Sequence, residues 1–171
     1  MAKAVFCIAR TEAQAITIVE RLRAAGFSNN DISVLCPDKA GTKDFAHEQH
    51  TKAPEGAATG AGAGGVLGGA LGWLVGIGAI AIPGLGPFIA AGPIMAALSG
   101  AAAGAALGGV TGALIGFGIP EYEAKRYEGK IKEGNVLISV HEDNGTDGDR
   151  AWMIFEEAGA EDISFTAEAR V

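Results

Sequence analysis

The sequence predicts an α+β fold: a ferredoxin-like split βαβ sandwich interrupted by a long glycine-zipper helical hairpin of membrane type. Three observations carry that prediction. The two ends of the 171-residue chain read as related βαβ units. Charge is partitioned: 65 consecutive residues from Gly56 to Pro120 contain no Asp, Glu, Lys, Arg or His, and all 33 acidic and basic residues sit in the other 106. Inside the uncharged run, glycine recurs at every fourth position in two series. The implied organisation is a first βαβ half over 1–36, a polar linker over 37–55, an apolar hairpin over 56–120, a charged helical neck over 121–134 and a second βαβ half over 135–171.

The first half opens with Lys3–Ala9, rich in strand formers. Its apolar run Ala4–Ala9 is too short for the core of an export signal, so the expectation is a strand and no cleavable leader. Thr11 and Gln14 have capping-box spacing and open a helix. Ala15, Ile18, Val19, Leu22 and Ala25 line one face of it, and Gly26 ends it. Ile32–Leu35 is the next strand. The far end repeats the order. Val136–Val140 reads as a strand, Asn144 to Gly148 as a turn-rich loop, and Ala151, Trp152, Phe155 and Ala158 as a helical stripe. Gly159 ends that helix, and Ile163–Ala167 is the last strand. The repeat is closest after each helix: Ala25-Gly26 precedes Asp31-Ile32-Ser33, and Ala158-Gly159 precedes Asp162-Ile163-Ser164. Two such units predict a four-stranded antiparallel sheet with two helices on one face. They also leave a strand edge free to pair with another subunit.

The ladders are Gly60, Gly64, Gly68, Gly72 and Gly76, then Gly100, Gly104, Gly108, Gly112 and Gly116. Glycine costs about 1 kcal/mol relative to Ala inside a water-exposed helix, so five in phase need another reason. Residues four apart share a face, and glycines there let a second helix approach closely. These ten residues are the candidate helix-packing interface. Ala57–Ala81 would make a helix of about 37 Å and Pro93–Gly118 one of about 39 Å, with Pro83-Gly84-Leu85-Gly86-Pro87 breaking between them. Each exceeds the roughly 30 Å of bilayer hydrocarbon. The charges flanking one end only place the outer domain on the cytoplasmic side. A second reading stands beside this one. Only eight of the 25 residues in Ala57–Ala81 are large and apolar, so the hairpin would instead bury inside a homo-oligomer.

The neck, Glu121–Glu133, carries Glu121–Lys125 and Glu128–Lys132 at favourable i,i+4 spacing. Tyr122 and Tyr127 suit either a membrane interface or packing on the sheet.

Chemistry is sparse. A net charge of −7 repels a phosphate backbone and excludes a nucleic-acid partner. His47 and His50 form an HxxH pair, but no spacing supplies four zinc ligands. Cys7 and Cys36 read as core residues in a reducing compartment. The glycine run lacks the GK[ST] of a phosphate loop. No catalytic, metal or cofactor-binding residue and no cofactor is predicted.

Ala25–Leu35, Thr51–Gly65, Ile82–Pro87 and Gly118–His141 resemble bacterial stress-associated proteins of the general stress protein 17M / YflT-like type. That resemblance implies a bacterial, stress-linked protein combining βαβ halves with a glycine-rich insertion, and it transfers no catalytic residue. The expectation is a non-enzymatic membrane or structural protein, a homo-oligomer in contact with lipid, with its head in the cytoplasm. The competing expectation is a module that senses a small ligand, its hairpin buried in a soluble homo-oligomer.

Overall fold

The structure is a computed structural model that describes residues 3–37, 78–82, 86–92, 109–142 and 145–167. Its elements run β1 (Lys3–Ala9), α1 (Glu12–Ala24), β2 (Ile32–Pro37), β3 (Gly78–Ile82), β4 (Gly86–Ala91), α2 (Gly109–Gly116), α3 (Glu121–Lys132), β5 (Val136–Glu142), α4 (Gly145–Glu157) and β6 (Glu161–Ala167). The fold is α+β. All strand pairs are antiparallel, in the order β3-β4-β2-β5-β1-β6.

The two outer segments form the elements their patterns predict. Thr11 caps α1, its hydroxyl accepting the Gln14 N–H at 3.1 Å. The Gln14 side chain reaches back to accept the Arg10 N–H at 2.8 Å. Ala15, Ile18, Val19 and Leu22 are buried at helical spacing. On α4 the buried pair is Ala151 and Phe155, one turn apart. Gln14 Nε2 donates to the Ala158 carbonyl at 2.9 Å, so the start of one repeat holds the end of the other. The turn expected over Asn144–Gly148 is shorter, because α4 already begins at Gly145. Glu142, at the end of β5, accepts the Gly148 N–H and satisfies one of the orphan donors of that first turn. A Cβ on Gly148 would run into the Glu142 carboxyl group.

Alternation along the strands sorts side chains onto two faces. Val5, Cys7, Ala9, Ile32, Val34, Val136, Ile138 and Val140 pack under α1 and α4. Ala4, Phe6, Ile8, Leu35 and Leu137 pack against Val110, Ala113 and Leu114 of α2 and Tyr127 and Ile131 of α3. Both faces are therefore covered, where the sequence predicted helices on one face only. That is why β1 and β5 read as near-continuous apolar runs.

The expected helical hairpin over 56–120 needs correction. Gly78–Ala81, placed at the end of its first helix, belong to strand β3. Gly86 and Pro87 of the breaker segment belong to strand β4, which pairs with β3 and, in the register Val34↔Ala91 to Pro37↔Phe88, with β2. These two strands of the insertion thus lie in the sheet of the head. Gly92 closes β4 at φ +91°, and an added Cβ would collide with the Ile32 carbonyl and come within 2.7 Å of Ser33 Cα. Only glycine fits both demands. Gly109–Gly116 is helical, as expected of the second arm. No helix among the described residues is long and apolar enough to cross a membrane.

Candidate functional site

Of the ten ladder glycines, the structure describes Gly112 and Gly116, both on α2. Gly60, Gly64, Gly68, Gly72, Gly76, Gly100, Gly104 and Gly108 lie outside the described residues. α2 turns Val110, Ala113 and Leu114 onto the sheet. At 100° per residue this puts Gly112 and Gly116 on the opposite side. Gly116 is exposed, and a Cβ there would meet nothing within 4 Å. Ile115, beside it, is 43% exposed. Among the described residues the Gly116 side of α2 is uncovered, while its other face packs on the head.

The position of α2 is set by the neck. Glu128 of α3 accepts the Thr111 N–H at 3.1 Å and the Thr111 hydroxyl as well. Its other oxygen pairs with Lys132 at 2.7 Å. A carboxylate among the orphan N–H groups of a helix start is favoured by both hydrogen bonding and the helix dipole. Partial burial pushes the Glu128 carboxyl up, but the hydrogen bonds from Lys132 and Thr111 outweigh it and hold the group below its ordinary value. The expected Glu121–Lys125 pair is present too, at 2.6 Å and exposed. The tyrosines part company. Tyr127 is buried against the sheet, with its ring 6.3 Å from that of Phe6, and Tyr122 is 65% exposed.

A polar cluster that sequence reasoning missed surrounds the Tyr127 hydroxyl. The hydroxyl donates to the Asp162 carbonyl at 2.6 Å. Its one proton being used there, the Ser164 hydroxyl, also at 2.6 Å, donates to it. Burial pushes the phenol pKa up, against the opposing pull of that Ser164 bond. Arg126 pairs with Asp162 at 3.2 Å, Lys130 with Glu161 at 3.3 Å, and Arg10 also with Glu161. The Arg10 bond, with help from Lys130, holds the Glu161 carboxyl below its ordinary range. Asp162 sits at φ +49°, a left-handed conformation that Asp tolerates better than most residues. Glu123, Arg126, Tyr127, Asp162, Ile163 and Ser164 line a cavity of about 50 Å³, room for roughly three waters. The only hint in the sequence is the acid pair Glu161-Asp162 facing a basic neck, and that required knowing that α3 crosses β6.

Cys7 and Cys36 are buried, as expected, and burial pushes the Cys7 thiol up, away from reactive thiolate. His47 and His50 lie outside the described residues. Among the described residues there is no group of three or more His, Cys, Asp or Glu placed to hold a metal. Comparison of the chain with protein-family models, curated proteins and solved structures gave no match.

Proposed function

We propose that this chain is a non-enzymatic structural protein that self-associates through its glycine ladders, and that its head is a ferredoxin-like domain. The head reading is supported by the strand order β2-β5-β1-β6 with α1 and α4 on one face. The β3–β4 hairpin adds two strands beyond β2. The resemblance to stress-associated 17M-like proteins belongs to the same proposal.

The observation that carries self-association is the orientation of α2, whose ladder glycines face away from the sheet its other side packs on. A close-approach face left uncovered among the described residues suits a further helix, here one from a second copy. The β4–β2 pairing favours a partner made of protein over a crossing of the bilayer. A spanning hairpin would put this middle stretch on the far side of the membrane, whereas Phe88–Ala91 pair with β2 of the head. Removing β3, β4 and α2 from the apolar run leaves 57–77 and 93–108, which are 21 and 16 residues. The second would span only about 24 Å even as a helix, short of the roughly 30 Å of hydrocarbon. The ladders then bury against one another between copies, in a homo-oligomer.

The test is the mass of the purified full chain by light scattering in detergent-free buffer, paired with flotation on liposomes. The proposal expects a multi-copy particle that stays at the bottom of the gradient. A monomer in detergent-free buffer would refute self-association. Particles that float and resist alkaline extraction would return the hairpin to the membrane.

A further inference from the structure

We propose that β6 is a second, independent interface, which pairs antiparallel with β6 of another copy about a two-fold axis through Ser164. β6 is the last strand of the sheet, and among the described residues nothing pairs with its outer side. Such an edge presents a row of unpaired N–H and C=O groups, which proteins ordinarily blunt with charges, bulges or a cover. Here those devices are confined to its first three residues. Glu161 and Asp162 carry the charge, and both are drawn inward by Arg10, Lys130 and Arg126. Asp162 has the positive φ, and the register against β1 slips between Phe6 and Ile8, opposite this same end. From Ser164 to Ala167 the strand pairs with β1 without interruption, and from Ile163 onward it carries no charge.

The occupant follows from the strand's own residues. Phe165 lies opposite Val5 and so shares the α1/α4 face with Ile163, whereas Ser164 and Thr166 lie on the other face. Phe165 is 43% exposed, and its ring stacks on Trp152 at 5.1 Å, so an apolar shelf runs up to the open edge. A two-fold axis normal to a sheet keeps every side chain on its own face, so the axis must pass through a residue. Centred on Ser164, the pairing sets Ile163 against Phe165 of the second copy twice, a β-branched–aromatic cross-strand pair. Asp162 then meets Thr166, and Glu161 meets Ala167. No like charges are opposed. Centring on Asp162 would set the two aspartates face to face, and centring on Ile163 would put Glu161 against Phe165. The strand is complementary to itself in the register that leaves its charged end unopposed.

This interface uses no ladder glycine, so its test separates from the one above. In the full chain, Ser164→Cys places the new thiols opposite each other across the axis, where facing Cα atoms lie about 4.5–5.5 Å apart, within disulfide reach. Cys7 and Cys36 are buried and contribute little background. Met153→Cys, at an exposed site on α4, measures chance collision. At about 10 μM chain, Ser164→Cys is expected to crosslink roughly a hundredfold faster than Met153→Cys, the ratio of a millimolar effective concentration to the bulk one. Phe165→Lys, at an exposed position, should keep the far-UV spectrum and abolish the mass contributed by this contact. Gly112→Leu should leave the Ser164→Cys crosslink intact. Equal crosslinking rates for the two cysteine variants, or an unchanged mass for Phe165→Lys, would overturn the proposal. So would pairing of β6 with a different strand of the second copy, which leaves Ser164→Cys monomeric on a denaturing gel.

Discussion

The face of the sheet under α1 and α4 and the face under α2 and α3 bury similar kinds of side chain but are assembled from different material. The first is made by the two repeats. In each repeat the first strand is followed directly by a helix that covers this face, and Gln14 and Ala158 tie the two repeats at 2.9 Å. The second is made from the end of the apolar insertion and from the neck. It is fastened by polar groups: Glu128 at the start of α2, and the Tyr127 hydroxyl over Ser164 and Asp162. The difference teaches that the insertion is not an appendage. Its strands β3 and β4 extend the sheet and its last helix closes the second core, so a contact made on the outer side of α2 would be coupled mechanically to the head.

The largest effects should come from emptying either core. Phe155→Ala under the first face should cost about 4 kcal/mol, and Leu114→Ala under the second about 3 kcal/mol, both side chains being fully buried. Urea unfolding followed by tryptophan fluorescence and circular dichroism checks this. If the faces form one cooperative unit, both variants move a single transition. If Leu114→Ala instead splits off an early phase, the second face is a separate layer and the coupling argued above fails.

Next in size is Tyr127→Phe, which strips the Asp162 carbonyl and the Ser164 hydroxyl of a shared partner. The expected loss is about 1–2 kcal/mol. A double-mutant cycle with Ser164→Ala should show coupling. Additivity would mean the hydroxyl cluster does not fasten β6 to α3.

Acid should loosen the second face through Glu128. Its carboxyl is held below its ordinary value of 4.5 in the folded chain. The stability it contributes is therefore present above the unfolded value and is lost as pH falls through the folded one. Glu128→Gln should lower stability at pH 7 by about 1 kcal/mol and flatten the acid limb of the stability curve. An acid limb identical to that of the parent chain would remove Glu128 from the account.

The smallest effect is also the most diagnostic for the ladders. Gly116→Ala puts a methyl group into open space on a helix. It should stabilise the head by up to about 1 kcal/mol while weakening assembly, because the added Cβ holds a partner helix away. Stability and oligomer mass moving in the same direction would show that this glycine is not at an interface.

The first face was legible because its signals are local. Thr11 with Gln14, the buried spacing from Ala15 to Leu22 and the Phe155 stripe each report on one element. The second face was not, because its decisive contacts join residues whose proximity no pattern announces. Thr111 and Glu128 meet across a helix corner, and Tyr127 meets Ser164 across 37 positions. The strands β3 and β4 were hidden differently. GAIAI and GPFIAA are as apolar and uncharged as their surroundings and show no polar alternation. The available clue was phase: the first ladder stops at Gly76, and Gly78 falls out of step just where the strand begins. The proline-glycine segment has the composition of a break between helices, yet its Gly86 and Pro87 begin strand β4.

The strand order also governs how the chain emerges from a ribosome. β1 lies between β5 and β6, and both of its neighbours come from beyond residue 135. β2 can find β4 once residue 91 has been made, but β1 has no strand to pair with until Val136 appears. At about 5–20 residues per second, synthesis from Ala9 to Val136 takes roughly 6–25 s. From residue 56 onward an apolar strand and a lengthening uncharged glycine-rich run are present together on one nascent chain. Apolar surface left open that long favours aggregation before the sheet can close. Slowing translation within the insertion should lower the yield of folded chain more than the same delay placed after residue 142.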